Sequence, residues 1–466
     1  MPDSSFASLP LAPALLTNLE SLGYHAMTPI QAESLPAMLA GRDVIAQAKT
    51  GSGKTAAFGL GLLSRLEVAR FHVQALVLCP TRELAGQVAG ELRRLARTLA
   101  NVKVLTLCGG APFGPQLGSL AHGAHVIVGT PGRVEEHLRK GSLSLAKLDT
   151  LVLDEADRML DMGFQTALEV IIGKTPATRQ TLLFSATGLQ GAGAEGIRLI
   201  AERMMHEPVM VEVASTHDSS SIRQHFHRVV DEPARFEALH RLLLTHRPES
   251  SVVFCNTKRE TQEVADALCE HGFSALALHG DLEQRDRDRT LEVFANKSAS
   301  ILVATDVAAR GLDIEALDAV FNYQIARDLE VHVHRVGRTG RAGSTGVAYT
   351  LLSEKEAYRL ARLAEFLGQE LEAEPLPTGR GREQAPFSPC MATLQLDGGK
   401  KHKLRPGDIL GALTGEGGIN GDQVGKIKVQ ERSAYVAVHR DVAKAALRKL
   451  SEGKLKGRSF RARRVI

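Results

Sequence analysis

Short apolar runs recur along the first two hundred residues, each followed by a turn rich in Gly, Pro, Thr or Asp and then by helical spacing. The runs at 43–46, 75–79, 102–107, 125–128, 150–153 and 181–184 read as strands. Strands separated by helical patterns predict a parallel sheet with crossover connections. The polar, Ser-rich stretch 214–221 breaks this pattern and reads as a linker. The alternation then restarts at 226–230, 251–256, 275–279, 301–304, 319–323 and 347–352, which predicts a second α/β unit. A second break at 374–389 holds Pro375, Pro377, Pro386 and Pro389. Beyond it, strand patterns at 392–396, 425–429, 434–438 and 459–465 interleave with helical patterns at 406–413 and 442–450. That order, βαββαβ, predicts a small split-βαβ (α+β) sandwich with one sheet face open. The expected domains are therefore 1–213, 222–373 and 390–466, joined by linkers at 214–221 and 374–389.

Composition narrows the class. Apolar residues make up 44%, charged residues 24% and aromatics 4%, with no Trp, which fits an ordinary soluble globular chain. No run approaches a membrane span, and the first ten residues lack the basic-then-apolar pattern of a secretory signal. The five cysteines are scattered, with no C-x-x-C, which argues against a disulfide scaffold or zinc knuckle and fits a reducing cytosol. The net charge of +4 hides an asymmetry. Residues 390–466 carry 17 Lys and Arg against 7 Asp and Glu, so +10; the remainder carries 40 against 46, so −6. The basic tail is either a solubilising segment or a module that binds a polyanion.

The chemistry begins after the first predicted strand. Ala48, Lys49, Thr50, Gly51, Ser52, Gly53, Lys54 and Thr55 lie between a strand and a helical pattern, the setting of a phosphate-binding loop. Glycines there let backbone N–H groups wrap phosphates at a helix N-terminus. Lys54 is expected on the β/γ-phosphates and the Thr55 hydroxyl on Mg²⁺. Ala48 stands where such loops usually have their first Gly. About 100 residues on, the apolar run Leu151, Val152, Leu153 ends in Asp154, Glu155, Ala156 and Asp157. Asp154 is expected to hold Mg²⁺ through water, and Glu155 to act as general base on the attacking water.

Asp154–Asp157 spells DEAD, and further motifs follow in order: Pro80 to Ala85, Gly109–Gly110, Thr130 to Arg133, Ser185 to Thr187, Ala304 to Asp313, and His334 to Arg341. Over residues of about 6–370 the chain resembles the DEAD-box ATP-dependent RNA helicases. The resemblance implies two RecA-like domains with ATP and RNA bound between them. It assigns Phe6 and Gln31 to the adenine, the latter able to pair with both N6 and N7, and Asp313 to the ribose. Arg338 and Arg341 match the arginine fingers, so hydrolysis is expected only when the domains close. Asp157, Ser185, Thr187, His334 and Arg335 match residues that couple the ATP site to RNA and to strand separation. Thr81, Arg82, Gly110, Thr130, Gly132 and Arg133, with Arg287 and Thr305 of the second unit, match contacts to the RNA backbone. Such contacts fix register and carry no sequence information.

The basic tail resembles the C-terminal RNA-binding domain of the DbpA-type bacterial helicases. That resemblance implies an RRM-like module gripping 23S rRNA hairpin 92 and a role in assembly of the large ribosomal subunit; a cytoplasmic monomer is expected. Tyr435 is the one aromatic in the region matching the two central strands, so charged contacts are expected to dominate. Lys401, Lys403, Lys426, Lys428 and Arg461 are among the candidates. Two other readings stay open from sequence: an ATP-dependent RNA clamp that hardly unwinds, and, disfavoured by the DEAD tetrapeptide, a DNA helicase.

Overall fold

The computed structural model describes residues 4–48, 51–185, 195–213, 222–309, 317–340, 346–377 and 384–465. The strands are β1 (Val44–Gln47), β2 (Ala75–Leu78), β3 (Val104–Leu107), β4 (Val126–Gly129), β5 (Thr150–Leu153), β6 (Gln180–Ser185) and β7 (Val209–Glu212) in the first unit. They form one parallel 7-stranded sheet in the order β3-β4-β2-β5-β6-β1-β7. Along β2, Ala75 and Val77 enter the apolar layer on one face, while Leu76 and Leu78 enter the layer on the other. Burial on both faces explains why these strands read as continuous apolar runs rather than alternating ones.

The second unit repeats this plan. Its strands are β8 (Ile222–Val229), β9 (Ser251–Cys255), β10 (Ala275–Leu278), β11 (Ile301–Thr305), β12 (Ala319–Asn322), β13 (Gly346–Ser353) and β14 (Ala373–Glu374). Their order, β10-β11-β9-β12-β13-β8-β14, is the order of the first sheet shifted by seven strands, and every pair is again parallel. The edge strands β7 and β14 were not among the predicted strands. β7 is only partly buried and β14 has two residues, so neither presents a long apolar run.

The tail forms an antiparallel sheet, β16-β17-β15-β18, from β15 (Met391–Leu396), β16 (Val424–Val429), β17 (Ala434–His439) and β18 (Ala462–Arg464). Leu394, Leu396, Val436 and Val438 pack inward against Ile409 and Leu413 of helix Pro406–Thr414 and Ala446 and Leu450 of helix Ala443–Glu452. The expected open face is a point of correction. Thr393, Gln395, Tyr435 and Ala437 point outward, yet all are buried, because this part of the face packs on the parallel-sheet unit that precedes it. Tyr435 and Val465 join Val293 and Ala299 in one apolar cluster. Asn296 Nδ2 donates to Thr393 Oγ1 at 3.1 Å, and Ser298 Oγ lies 2.8 Å from the same oxygen. An outer face carrying Tyr435, Ala437 and Val465 gains more from apolar burial than from hydration.

Candidate functional site

The two parallel sheets expose their chemistry at the carboxyl ends of the strands, as open α/β sheets do. In the first sheet the P-loop follows β1, Asp154 and Glu155 follow β5 and the coupling residue Ser185 ends β6, whereas the predicted RNA residues follow β2, β3 and β4; Phe6 and Gln31 precede β1. Because the order is β3-β4-β2-β5-β6-β1-β7, the two sets occupy adjacent halves of one sheet edge. The second sheet repeats the division: Arg287 and Thr305 belong to the β10–β11 half, and Arg335 and Arg338 follow β12.

At the nucleotide end, Ala48 N donates to Ser185 O at 3.0 Å, so the P-loop leaves β1 pinned to the end of β6. Gly51 and Gly53 sit at φ 87° and 94°. A Cβ on Gly53 would lie 2.6 Å from Gln31 Nε2, so only glycine fits there. Helix Lys54–Arg65 then begins, with its free N–H groups and positive dipole end at the loop. Gln31 is buried, accepts from Thr28 N at 2.9 Å and donates to Gly53 O at 3.1 Å. The amide predicted to read adenine is thus locked to the phosphate loop, with one donor hydrogen and one lone pair left over. Phe6 is buried, edge-on to Tyr24.

β5 is buried throughout and delivers Asp154 and Glu155 to the same end. Burial pushes the Asp154 carboxyl up to about 6; Lys54 opposes the rise and Glu155 adds to it. Glu155 adopts a left-handed conformation, φ 52° and ψ 52°, at the start of helix Ala156–Asp161. A non-glycine residue held there costs on the order of 1–2 kcal/mol. Arg158 Nη1 lies 3.2 Å from Glu155 Oε2, both side chains being buried. The DEAD tetrapeptide did not signal Arg158 as a partner of the candidate base. Asp157 Oδ1 accepts from Arg158 N at 3.0 Å.

The residues fit the expected Mg²⁺ and triphosphate. Among the described residues, Asp154 Oδ1 and Ser52 Oγ are buried polar atoms without a partner, and Lys54 Nζ is held 2.9 Å from Ala48 O. A buried carboxylate, a hydroxyl and an ammonium at a helix N-terminus suit a hydrated cation and an anionic chain.

In the RNA half, Thr81 caps helix Arg82–Leu95 by accepting from Leu84 N at 3.2 Å. Thr130 Oγ1 accepts from Gly109 N at 3.3 Å, and Arg133 Nη1 donates to Ala111 O at 2.8 Å. These bonds tie the loop after β3 to the helix after β4. Gly110 is at φ 71° and exposed; nothing lies within 4 Å of a Cβ built on Gly132. The backbone there is open to close approach.

In the second unit Arg335 is fully buried and committed locally. It donates to both oxygens of Asp306 at 2.6 and 2.7 Å, to Asn256 Oδ1 at 2.7 Å and to Gln324 O at 2.8 Å. This makes it the brace between helix Leu329–Val336 and the ends of β9 and β11. Asn256 was missed from sequence, where a single polar residue after a strand carries no distinguishing signal; Asp306 lies in the motif Ala304 to Asp313 but was assigned no role there. Arg287 Nη2 donates to Ala308 O at 2.9 Å, and Thr305 Oγ1 accepts from Ala308 N at 3.3 Å. Arg338 is buried and His334 half-buried. Thr50, Thr187, Asp313 and Arg341 lie outside the described residues. In the tail, Lys401, Lys403, Lys426 and Arg461 are exposed, whereas Lys428 pairs with Glu292 of the preceding sheet unit.

Comparison with known families matches residues 28–190 to the DEAD/DEAH box helicase model, 234–343 to the helicase conserved C-terminal domain and 393–464 to the DbpA RNA binding domain. The chain is 56% identical over 453 residues to the ATP-dependent RNA helicase DbpA of Escherichia coli, covering 97% of both. It is 44% identical over 375 residues to the DEAD-box ATP-dependent RNA helicase CshA of Geobacillus kaustophilus, covering 80% of this chain and 79% of that protein. Among solved structures it resembles S. cerevisiae Dbp5 bound to RNA and ADP BeF3, at 31% identity and TM-score 0.71, covering 82% of this chain and 97% of that one.

Proposed function

The chain belongs to the DbpA-type DEAD-box ATP-dependent RNA helicases, and from that premise we propose that its tail directs local, non-processive unwinding to 23S rRNA hairpin 92 during large-subunit assembly. The observation that carries the coupling of ATP to RNA is the shared sheet edge, where the residues after β5, β6 and β1 adjoin those after β3, β4 and β2.

In this reading the P-loop amides, Lys54 and Thr55 hold the triphosphate, and Gln31 and Phe6 select adenine. Thr55 and Asp154 would hold Mg²⁺, which when bound would supply positive charge against the phosphates. Glu155 orients and deprotonates the attacking water, its carboxylate steadied by Arg158 at 3.2 Å. Arg338 and Arg341 supply positive charge to the transferring phosphoryl group, and Asp313 meets the ribose. Thr81, Arg82, Gly110, Thr130, Gly132 and Arg133 grip one RNA strand by its phosphates, with Arg287 and Thr305. Asp157, Ser185, Thr187, His334 and Arg335 couple the two ligands. With the outward residues of the two central strands β15 and β17 buried, recognition of the hairpin falls to exposed charge such as Lys401, Lys403, Lys426 and Arg461. The protein is read as a cytoplasmic monomer.

The test compares ATPase stimulation by RNA with and without the hairpin. Reversing Lys401, Lys403, Lys426 and Arg461 to Glu should abolish the preference for hairpin RNA while leaving stimulation by generic RNA; an intact preference refutes the targeting. Glu155→Gln should bind ATP and RNA yet turn over about 100-fold more slowly or worse, and wild-type turnover refutes the base assignment. ATP turnover without duplex release would favour the clamp reading.

A further inference from the structure

Phe113 opens helix Phe113–Ala121, three residues past Gly110. It is half-buried but belongs to neither apolar layer of the first sheet. Its neighbours are polar. The His137 imidazole stacks on its ring at 4.2 Å between centroids and 15° between planes. Lys140 Nζ lies 4.0 Å from the ring centroid, and Arg133 Cζ 5.8 Å. An aromatic face attracts such cations through its quadrupole.

His137 itself is fixed. Its Nδ1 lies 2.8 Å from Ser142 Oγ and its Nε2 3.3 Å from Gln116 Oε1, while Gln116 Nε2 donates to Cys108 O at 3.0 Å. Burial lowers the imidazole's pKa, which keeps it neutral and able to stack beside two cations. Helix Pro131–Arg139 and the loop after β3 therefore meet across one ring. Glu136 competes for the same cations, at 3.1 Å from Arg133 Nε and 2.6 Å from Lys140 Nζ. Two cations and one carboxylate leave the cluster with net positive charge, and Arg133 is held between Glu136 at its Nε and Ala111 O at its Nη1, with the ring beside it.

We propose that Phe113 is a positioning residue for RNA binding: it aims the Arg133 guanidinium at the phosphate backbone by clamping the helix after β4 against the glycine loop after β3. This rests on the reading that Arg133 meets RNA, and the experiment separates the two. Steady-state ATPase is measured against single-stranded RNA concentration for the full-length chain. Phe113→Leu keeps apolar volume but removes the ring. It should raise the RNA concentration for half-maximal stimulation by about 3–10-fold, with kcat at saturating RNA retained. Phe113→Tyr should restore the wild-type value. Phe113→Leu added to Arg133→Gln should cost little beyond Arg133→Gln alone. Lys140→Met, on the exposed side of the cluster, gives a smaller rise and guards against a folding defect in Phe113→Leu. If Arg133→Gln weakens RNA use but Phe113→Leu does not, the inference fails and the RNA reading stands. If neither variant changes RNA use, the RNA role of Arg133 itself fails. If Phe113→Leu lowers kcat without changing RNA dependence, or multiplies fully with Arg133→Gln, the residue is merely structural and the proposal is overturned.

Discussion

Thr393→Val tests what holds the tail against the second sheet unit. Thr393 is fully buried on the outer face of β15. Its hydroxyl serves two buried partners, Asn296 at 3.1 Å and Ser298 at 2.8 Å. Valine has nearly the same shape, so packing is kept and only the hydrogen bonding is lost. Leaving a buried polar group unpaired costs about 1–3 kcal/mol; Asn296 Nδ2 loses this acceptor, and Ser298 Oγ keeps only a long bond to Asn296 O at 3.5 Å. Allowing for partial relaxation, the docked arrangement should lose about 2–4 kcal/mol, roughly a 30- to 1,000-fold shift in the docking equilibrium. Thr393→Ser keeps the oxygen and gives up one methyl, about 0.8 kcal/mol. Differential scanning calorimetry reads the difference. Wild type and Thr393→Ser should show the tail unfolding together with the sheet unit it rests on, and Thr393→Val should release it as a separate, earlier transition. Amide exchange at the Val293 turn of helix Gln284–Ala295 should speed up in parallel. Thr393→Val behaving like Thr393→Ser would refute the claim that this polar cluster holds the interface.

Two further predictions concern the second unit. Arg235 is fully buried and donates to Tyr323 O at 2.7 Å, Leu351 O at 3.0 Å and Glu356 Oε2 at 2.7 Å; Arg235→Met removes all three bonds and leaves the Glu356 carboxylate, still bonded to Ser353, without its cation, which should destabilise the unit by about 3–5 kcal/mol in denaturant unfolding, a loss under 1 kcal/mol counting against it. His332 is held neutral, its pKa pushed by burial, with Arg335 nearby, from 6.5 down to about 3. Between those values the unfolded chain binds the extra proton and the folded chain does not, so stability falls as pH drops. His332→Gln, which keeps the partner of Gln224, should remove about 1 kcal/mol of the loss between pH 6.5 and 5.5, whereas parallel stability curves for variant and wild type would exclude the effect.

Much of this protein was legible before any coordinates because its ligands are read by contiguous segments. A triphosphate is gripped by successive backbone amides at one strand-to-helix turn, so Gly51, Ser52, Gly53 and Lys54 reveal the site by spacing alone. The apolar runs marked twelve of the parallel strands, most plainly β2, β4, β5, β6, β9, β11 and β12, where burial throughout leaves a local signature. The edges β7 and β14 left none, being short and half-exposed. The remaining features were decided by contacts between residues far apart in the chain. Thr393 and Asn296 are 97 positions apart, and Arg335 meets Asn256 across 79. A threonine on a strand, or an asparagine after one, carries no mark of the partner it will find. Nothing in the local sequence of Phe113 marks its neighbours, a histidine and two cations from the helix after β4 and its end. The alternating pattern of the tail specified which face of its sheet was inward. Only the tertiary structure decided that the other face is also buried, because that depends on a second apolar surface at Val293 and Ala299 coming to meet it.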